Sequence, residues 1–94
     1  MRLNISSEAT TDLGDIWDAV SEFDVDAADR LLRTLGAAME RLTEYPLLGR
    51  VRPELGPGLR SWVVGRYLVF YESREDEFRI FRIPHGRRDI DTIF

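Results

Sequence analysis

Hydrophobic and polar residues alternate along one stretch in the second half of the chain, Leu59 to Ser73. Its two runs, 59–64 and 67–73, are rich in β-branched and aromatic residues and are separated by Gly65-Arg66. Glycine at the first central position of a two-residue loop is typical of a type II′ turn, so the stretch is predicted to form a β-hairpin. Because large apolar residues fall on both faces of this hairpin, we expect it at the centre of a sheet.

Residues before this hairpin show the apolar spacing of amphipathic helices. The predicted helices run from Ser6 or Ser7 to about Glu22, and from Asp24 or Asp26 to about Glu44. Serine and aspartate are favoured at helix starts because their side chains accept hydrogen bonds from the first free backbone N–H groups. A short connection separates the two helices, which predicts an antiparallel helical hairpin.

The remaining segments complete a two-layer domain. Residues 2–5 and 78–83 are predicted strands, and the proline-rich segment 45–58 is predicted to be an ordered surface loop. Residues 86–94 are predicted to form a short C-terminal helix, which gives the order β-α-α-β-β-β followed by that helix. The predicted fold class is therefore α+β, with the helical hairpin packed on one face of a small antiparallel sheet. Residues 1–94 are expected to form a single domain.

Charge is distributed unevenly along the chain, and all 13 basic residues are arginine. Residues 1–48 contain ten acidic residues and four arginines, whereas residues 49–94 contain nine arginines and seven acidic residues. Arginine binds carboxylates and phosphates through parallel hydrogen bonds, so the sheet half is a candidate anion-facing surface. A genome that uses arginine wherever lysine would serve offers a simpler explanation for the missing lysine.

The composition also argues against several kinds of site. The chain has no cysteine and one histidine, which excludes disulfides, thiol catalysis and cysteine-ligated zinc. It contains neither a metal-binding motif nor a phosphate-binding loop, so no metal and no cofactor are predicted. No apolar run approaches the roughly 20 residues of a membrane span, and a cytoplasmic location without membrane association is expected.

One group of residues is suited to chemistry: Arg60, Arg66, Arg82, His85, Arg87 and Arg88. Strands 60–64 and 78–83 should both pair with the strand between them, so their ends can converge. Ribonucleases that use the 2′-hydroxyl group as nucleophile need a general acid, a general base and cations, roles open to His85 and the first three arginines. In the structural alternative, His85 is a hydrogen-bonded turn residue and the hairpin arginines hold acidic residues. Those acidic residues would be Glu54, Glu72 or Asp89.

Four stretches of the sequence resemble the ParE branch of the RelE/ParE toxin superfamily. They are I-S-S-E-A-T-T-D-L-G-D-I-W at Ile5–Trp17, A-A-D-R-L-L at Ala27–Leu32, P-L-L-G-R-V-R-P-E-L-G-P-G-L-R-S-W-V-V-G-R-Y-L-V-F-Y at Pro46–Tyr71, and R-I-P-H-G-R-R-D-I at Arg82–Ile90. The resemblance covers nearly the whole chain. The family fold, a helical hairpin on a small antiparallel sheet, agrees with the order predicted from periodicity.

The resemblance implies the toxin of a bacterial type II toxin–antitoxin system. ParE-like members inhibit DNA gyrase, whereas RelE-like members cleave mRNA on the ribosome. RelE-like enzymes typically use lysine and arginine on the sheet and a tyrosine or histidine near the C-terminus. This chain has no lysine, its last tyrosine is Tyr71, and an acidic protein suits a ribosome surface poorly. Non-enzymatic inhibition of gyrase by direct binding is therefore expected. The alternatives are a ribosome-dependent mRNA endonuclease that uses His85, and a decayed toxin that only binds its antitoxin.

The resemblance also implies a ParD-like antitoxin whose C-terminal segment folds on the toxin, giving a hetero-oligomer in which the toxin itself binds no specific DNA sequence. The residues expected to bind the antitoxin are Arg60, Arg66, Val51, Leu55, Leu59 and Phe94. Those expected to contact the target are Arg82, His85, Arg87 and Arg88. Such arginine and apolar positions suit an acidic amphipathic helix or an added strand. Alternatively, the apolar residues complete the core.

Overall fold

One sheet and two helices make up the protein in the computed structural model, which describes residues 2–86. The strands are β1 (Arg2–Ile5), β2 (Arg50–Val51), β3 (Arg60–Val64), β4 (Tyr67–Arg74) and β5 (Glu77–Arg82), and the helices are α1 (Ser7–Ser21) and α2 (Val25–Glu44). The sheet order is β1-β5-β4-β3-β2. This arrangement confirms the predicted α+β class. The predicted C-terminal helix, apart from Gly86, lies outside the described residues.

The sheet is mixed, whereas the sequence predicted an antiparallel one. β1 pairs with β5 in parallel, and the other three strand pairs are antiparallel. The backbone N–H of Arg2 donates to the Asp76 carbonyl oxygen at 2.8 Å, and that of Ser6 donates to the Ile80 carbonyl oxygen at 3.0 Å. Alternation along 2–5 indicates a strand but carries no information about its direction, which the path through the helical hairpin decides.

The helix starts follow from two capping side chains. The Ser6 hydroxyl accepts a hydrogen bond from the Ala9 N–H at 3.0 Å and donates to the Phe81 carbonyl oxygen at 2.7 Å. The Asp24 carboxylate accepts from the Ala27 N–H at 3.1 Å. Of the predicted alternatives, Ser6 and Asp24 are therefore the caps. Because Ser6 also bonds to β5, the start of α1 is tied directly to the sheet.

The core lies between the helices and one face of the sheet. The side chain of Tyr71 is fully buried and stacks on Phe78 with ring centroids 4.8 Å apart and an interplanar angle of 21°. The buried cluster comprises Ala9, Ile16, Leu35, Met39, Leu42, Val64, Val69, Tyr71, Phe78, Ile80 and Ile83. Gly36 in α2 does not serve close packing, since a Cβ atom there would meet nothing within 4 Å.

The β3–β4 turn has the predicted form. Val64 pairs with Tyr67 across the two-residue loop, and Gly65 has a φ of +60°. Arg66 is not among the described residues with positive φ, which distinguishes a type II′ turn from a type I′ turn.

Of the helices within residues 2–86, none combines the length and apolar composition that crossing a membrane requires.

The Tyr71 hydroxyl group holds the loop between α2 and β2. It accepts a hydrogen bond from the Gly49 N–H at 2.8 Å and donates one to the Pro46 carbonyl oxygen at 2.7 Å. The Tyr71 hydroxyl group is protonated at neutral pH, as tyrosine ordinarily is, and burial raises its pKa further. A side chain of the core therefore sets the path of segment 46–49.

Replacing Tyr71 with phenylalanine tests this interaction. The variant leaves the buried Gly49 N–H without its acceptor, and we expect the free energy of unfolding to fall by about 1–3 kcal/mol. Tyr45→Phe is the matched control because its ring is 56% exposed, and it should change stability by less than about 0.5 kcal/mol. Urea denaturation of both variants provides the measurement, and equal stability of the two would contradict the assigned role.

Candidate functional site

The sheet face opposite the helices, here called the outer face, carries an apolar pair, one member of which is exposed. Val64 and Val69 belong to the core, so their neighbours Val63 and Leu68, which pair across the hairpin, lie on the other face. Leu68 is half-buried, but the Val63 side chain is 66% exposed. Val63 and Leu68 line one depression together with Leu48 and Trp62, and this apolar group makes the outer face a candidate binding surface.

A cleft of about 700 Å³ lies at the β3–β4 turn. We call it the turn cleft, and it is lined by Val63, Gly65, Arg66, Tyr67, Leu68, His85 and Gly86. The chain after β5 runs beside the start of β4 and brings His85 here. The Gly86 N–H donates to the Arg66 carbonyl oxygen at 2.8 Å, and the Leu68 N–H donates to the Pro84 carbonyl oxygen at 3.0 Å.

Two residues of the predicted chemical group meet in this cleft, Arg66 and His85. The His85 ring packs edge-on against Tyr67 with ring centroids 5.6 Å apart and an interplanar angle of 79°. Arg66 is exposed at the turn. Arg87 and Arg88 lie outside the described residues. A histidine, a phenol and a guanidinium group can together bind an anion, because all three present hydrogen-bond donors.

Arg82 is directed towards the helices instead. Its Nε and Nη2 atoms donate to the two carboxylate oxygens of Asp12 at 2.9 and 3.0 Å, and one of those oxygens also accepts the Ile83 N–H at 2.8 Å. The paired Asp12 side chain is only 12% exposed. Arg82 thus joins α1 to the end of β5 and does not line the turn cleft.

Arg60 also bonds within the fold. Its Nη1 atom donates to the Gly49 carbonyl oxygen at 2.8 Å and to the Leu47 carbonyl oxygen at 3.4 Å. Two of the three predicted acidic partners are engaged elsewhere, since Glu54 pairs with Arg52 at 2.7 Å and Glu72 pairs with Arg74 at 3.4 Å. The third, Asp89, lies outside the described residues. Arg60 therefore supports the same loop that Tyr71 holds.

A second depression of about 490 Å³ adjoins the turn cleft, with Val63 and Leu68 in both linings. We call it the edge groove, and its remaining lining residues are Leu48, Arg50, Arg52, Ser61 and Trp62. The Arg52 guanidinium group donates to the Ser61 hydroxyl at 3.1 Å and lies 5.7 Å from the centre of the Phe70 ring. The hydrogen bond from Arg52 holds the pKa of Glu54 below its ordinary value.

Arg50 and Arg52 were not among the predicted site residues, because 45–58 was predicted to be a loop, and neither was Val63, which falls in the predicted central hairpin. Arg50 and Val51 form β2 and pair with Ser61 and Arg60. Two residues beside prolines are too few for a strand pattern to be recognised. The available signal was the alternation of arginine and apolar residues in R-V-R, residues 50–52.

The apolar residues predicted to bind an antitoxin differ in burial. Val51 is 51% exposed, Leu55 is half-buried, and Leu59 is only 9% exposed. Leu59 thus contributes to the interior, as the structural alternative proposed, whereas Val51 is accessible. Phe94 lies outside the described residues.

Within the described part of the chain, no three His, Asp or Glu residues are grouped so that they could hold a metal ion.

Comparison with known proteins places these features in a family context. Residues 3–90 match a family model described as the ParE toxin of the type II toxin–antitoxin system parDE. The chain is 34% identical to Toxin ParE1 of Mycobacterium tuberculosis over 92 residues, which cover 96% of this chain and 94% of that protein. It is 35% identical to Toxin ParE3 of Caulobacter vibrioides over 66 residues, which cover 70% of this chain and 66% of that protein.

The fold is also similar to a solved structure entitled "Chromosomal ParDE TA system from P. aeruginosa". The TM-score is 0.77 at 23% sequence identity, and the alignment covers 90% of this chain and 95% of that chain. Similarity at this level of identity supports the fold described above.

Arginines that bond within the fold, Arg60 and Arg82, should matter more for stability than the exposed Arg66. Arg82→Met removes the bidentate partner of a mostly buried Asp12 carboxylate and should lower the free energy of unfolding by about 1–3 kcal/mol. Arg60→Met should also be destabilising. Arg66→Met, at an exposed turn position, should change stability by less than about 0.5 kcal/mol. Thermal and urea denaturation of the three variants test this, and a destabilised Arg66→Met protein would contradict it.

Proposed function

The chain belongs to the ParE toxin family of type II toxin–antitoxin systems, and from this we propose that it stops growth by binding DNA gyrase. We further propose that a ParD-like antitoxin neutralises it by covering the toxin's surface. The toxin would work in the bacterial cytoplasm, where gyrase acts on DNA.

The observation that carries the proposal is how the arginines are used. Arg60 and Arg82, two of the three cations available for catalysis, donate to loop carbonyl oxygens and to Asp12 instead. A nuclease needs its cations aimed at the phosphate that carries developing charge. A binding protein needs only a rigid surface with accessible donors and apolar area, and the turn cleft and edge groove fit that requirement.

Neutralisation by a flexible partner also fits the outer face. A segment that is disordered alone can follow a long shallow surface and fold as it binds. The two adjoining depressions offer apolar area at Val63 and Leu68, with arginines at both ends. An acidic, partly apolar antitoxin segment would therefore compete with the target if both used this face. The remaining predicted target contacts, Arg87 and Arg88, follow directly after the cleft residue Gly86 in the sequence.

A second candidate function is cleavage of mRNA on the ribosome. It is favoured by one observation, that Arg66, Tyr67 and His85 line the same cleft. In such a reaction the 2′-hydroxyl group attacks the adjacent phosphorus atom and the 5′-oxygen of the next nucleotide leaves. His85 would move a proton to or from an oxygen atom, and Arg66 would stabilise the charged phosphorane. The acidic net charge of −4 works against association with RNA.

Purified toxin added to a gyrase supercoiling reaction and to an in vitro translation reaction separates these functions. We expect the toxin to inhibit supercoiling or to trap cleaved DNA while translation is unaffected. Addition of the antitoxin should restore gyrase activity. His85→Ala should then retain gyrase inhibition. Cleaved mRNA that disappears in His85→Ala, with normal supercoiling, would overturn the proposal in favour of the nuclease. A toxin inactive in both reactions but bound by antitoxin would indicate a decayed member.

Charge reversal at Arg87 and Arg88 tests the proposed target contacts. We expect Arg87→Glu/Arg88→Glu to relieve growth arrest while the protein stays folded, because two favourable charges become repulsive. The matched control is Arg30→Glu/Arg33→Glu on the exposed side of α2, which should remain toxic. Growth curves after induction, with circular dichroism of each purified variant, provide the measurement. Undiminished arrest by the folded Arg87/Arg88 variant would contradict the assignment.

A further inference from the structure

The turn between α1 and α2 exposes two apolar side chains. We call residues 18–26, which comprise this turn and the helix ends beside it, the helical tip. Phe23 is 89% exposed, more than any other large apolar side chain in the described part of the chain, and Val25 is 53% exposed. Exposed apolar side chains that lie two positions apart at one end of the molecule form a protrusion that a partner can cover.

The backbone of the helical tip is held in one shape. The Val20 carbonyl oxygen accepts hydrogen bonds from the N–H groups of Phe23 and Asp24, each at 3.0 Å. The Asp24 carboxylate also caps α2. The indole N–H of Trp17 donates to Asp29 at 2.9 Å, which joins the two helices next to the turn. Phe23 is therefore presented by a rigid support, which keeps the entropic cost of binding through it small.

Negative charge surrounds these apolar side chains. Residues 3–29 contain eight acidic residues and no arginine, lysine or histidine. Three of the acids, Asp18, Glu22 and Asp26, are exposed at the helical tip. None of them takes part in an ion pair between described residues. Their charge is therefore available to a partner.

Two of these acids oppose the stability of α1. Asp18 lies in the last turn of the helix and Glu22 is its C-cap residue, and that turn contains no basic residue. The carbonyl groups at a helix C-terminus carry partial negative charge, so acidic side chains are unfavourable there. An exposed phenylalanine and two unfavourable acids thus occur at the same turn. Local choices that work against the fold are expected at functional sites.

We propose that the helical tip is a further contact with the target and docks on a basic protein surface that has an apolar pocket for Phe23. The inference rests on the proposed function, because it names a part of the toxin, besides the C-terminal arginines, that binds gyrase. An enzyme that holds DNA presents arginine and lysine to the phosphate groups. The acids of the helical tip are attracted to such a surface, and burial of Phe23 adds an apolar contact.

Charge decides between this occupant and the alternatives. The antitoxin segment proposed above is acidic, and a second copy of the toxin carries the same acids, so the helical tip repels both. It repels nucleic acid for the same reason. The helical tip is also separate from the outer face, since none of its residues lines the turn cleft or the edge groove. Variants of the helical tip should therefore still bind antitoxin.

Replacement of Phe23 tests the apolar contact. With full-length toxin and purified gyrase holoenzyme, Phe23→Ser should raise the concentration for half-maximal inhibition of supercoiling at least about tenfold. The thermal midpoint and the affinity for antitoxin should be unchanged, because the side chain is exposed. Leu47→Ser is the matched control, since Leu47 is 75% exposed on the α2–β2 loop. It should inhibit supercoiling as the unsubstituted toxin does.

Charge reversal at the end of each helix tests the electrostatic contact. Asp18→Lys/Glu22→Lys should weaken inhibition at least about tenfold and reduce the salt dependence of toxin–gyrase binding. Cations are favourable at a helix C-terminus, so this variant should stay folded. The control is Glu40→Lys/Glu44→Lys at the end of α2, which has the same spacing and the same change in net charge and should inhibit normally. Calorimetry at two salt concentrations measures the affinities, and circular dichroism verifies folding.

The outcomes distinguish this inference from the function on which it rests. Undiminished gyrase inhibition by the folded Phe23→Ser and Asp18→Lys/Glu22→Lys variants would overturn docking of the helical tip while leaving the proposed function intact. Equal losses in the tip variants and their controls would overturn it too. Loss of antitoxin binding with full gyrase inhibition would assign the helical tip to the antitoxin instead. An unsubstituted toxin that does not inhibit gyrase would overturn the proposed function and the inference together.

Discussion

The hydrogen bonds of the Tyr71 hydroxyl group determine how the helical layer connects to the sheet. The ring lies in the core against Phe78, while the hydroxyl group bonds to Gly49 and Pro46 at the end of the α2–β2 loop. The same bonds hold the chain in the loop that immediately precedes β2. The path of the loop before β2 thus depends on one buried polar group that must find partners.

Some arginines of this chain hold the fold together, and others are exposed on its surface. The first kind bonds to polar groups of the loop and the interior. Arg60 and Arg82 hold backbone carbonyl oxygens and the mostly buried Asp12 carboxylate, where removing the cation would leave polar groups unsatisfied. Arg50 and Arg66 are exposed and border the outer face. Charge counted along the sequence therefore overstates the cations available to a partner.

The outer face combines rigidity with accessible backbone. Its strands are fixed by pairing within the sheet and by the core on the opposite side, so it presents donors and apolar area in a constant arrangement. A toxin neutralised by a flexible partner benefits from such a surface, because only the partner then loses conformational freedom on binding. Family membership and the geometry of the outer face are the grounds for proposing that this protein acts by contact with other proteins.

Periodicity and capping in the sequence determined the helical hairpin, the β3–β4 turn at Gly65 and the α+β class, since these depend on residues within a few positions of each other. The motifs also identified the family. The parallel pairing of β1, the two-residue β2 and the structural roles of Arg60 and Arg82 were decided only by the tertiary structure. Asp12 and Arg82 are 70 residues apart in sequence. No local pattern specifies which distant group a strand or side chain will meet, because that choice depends on how the whole chain packs.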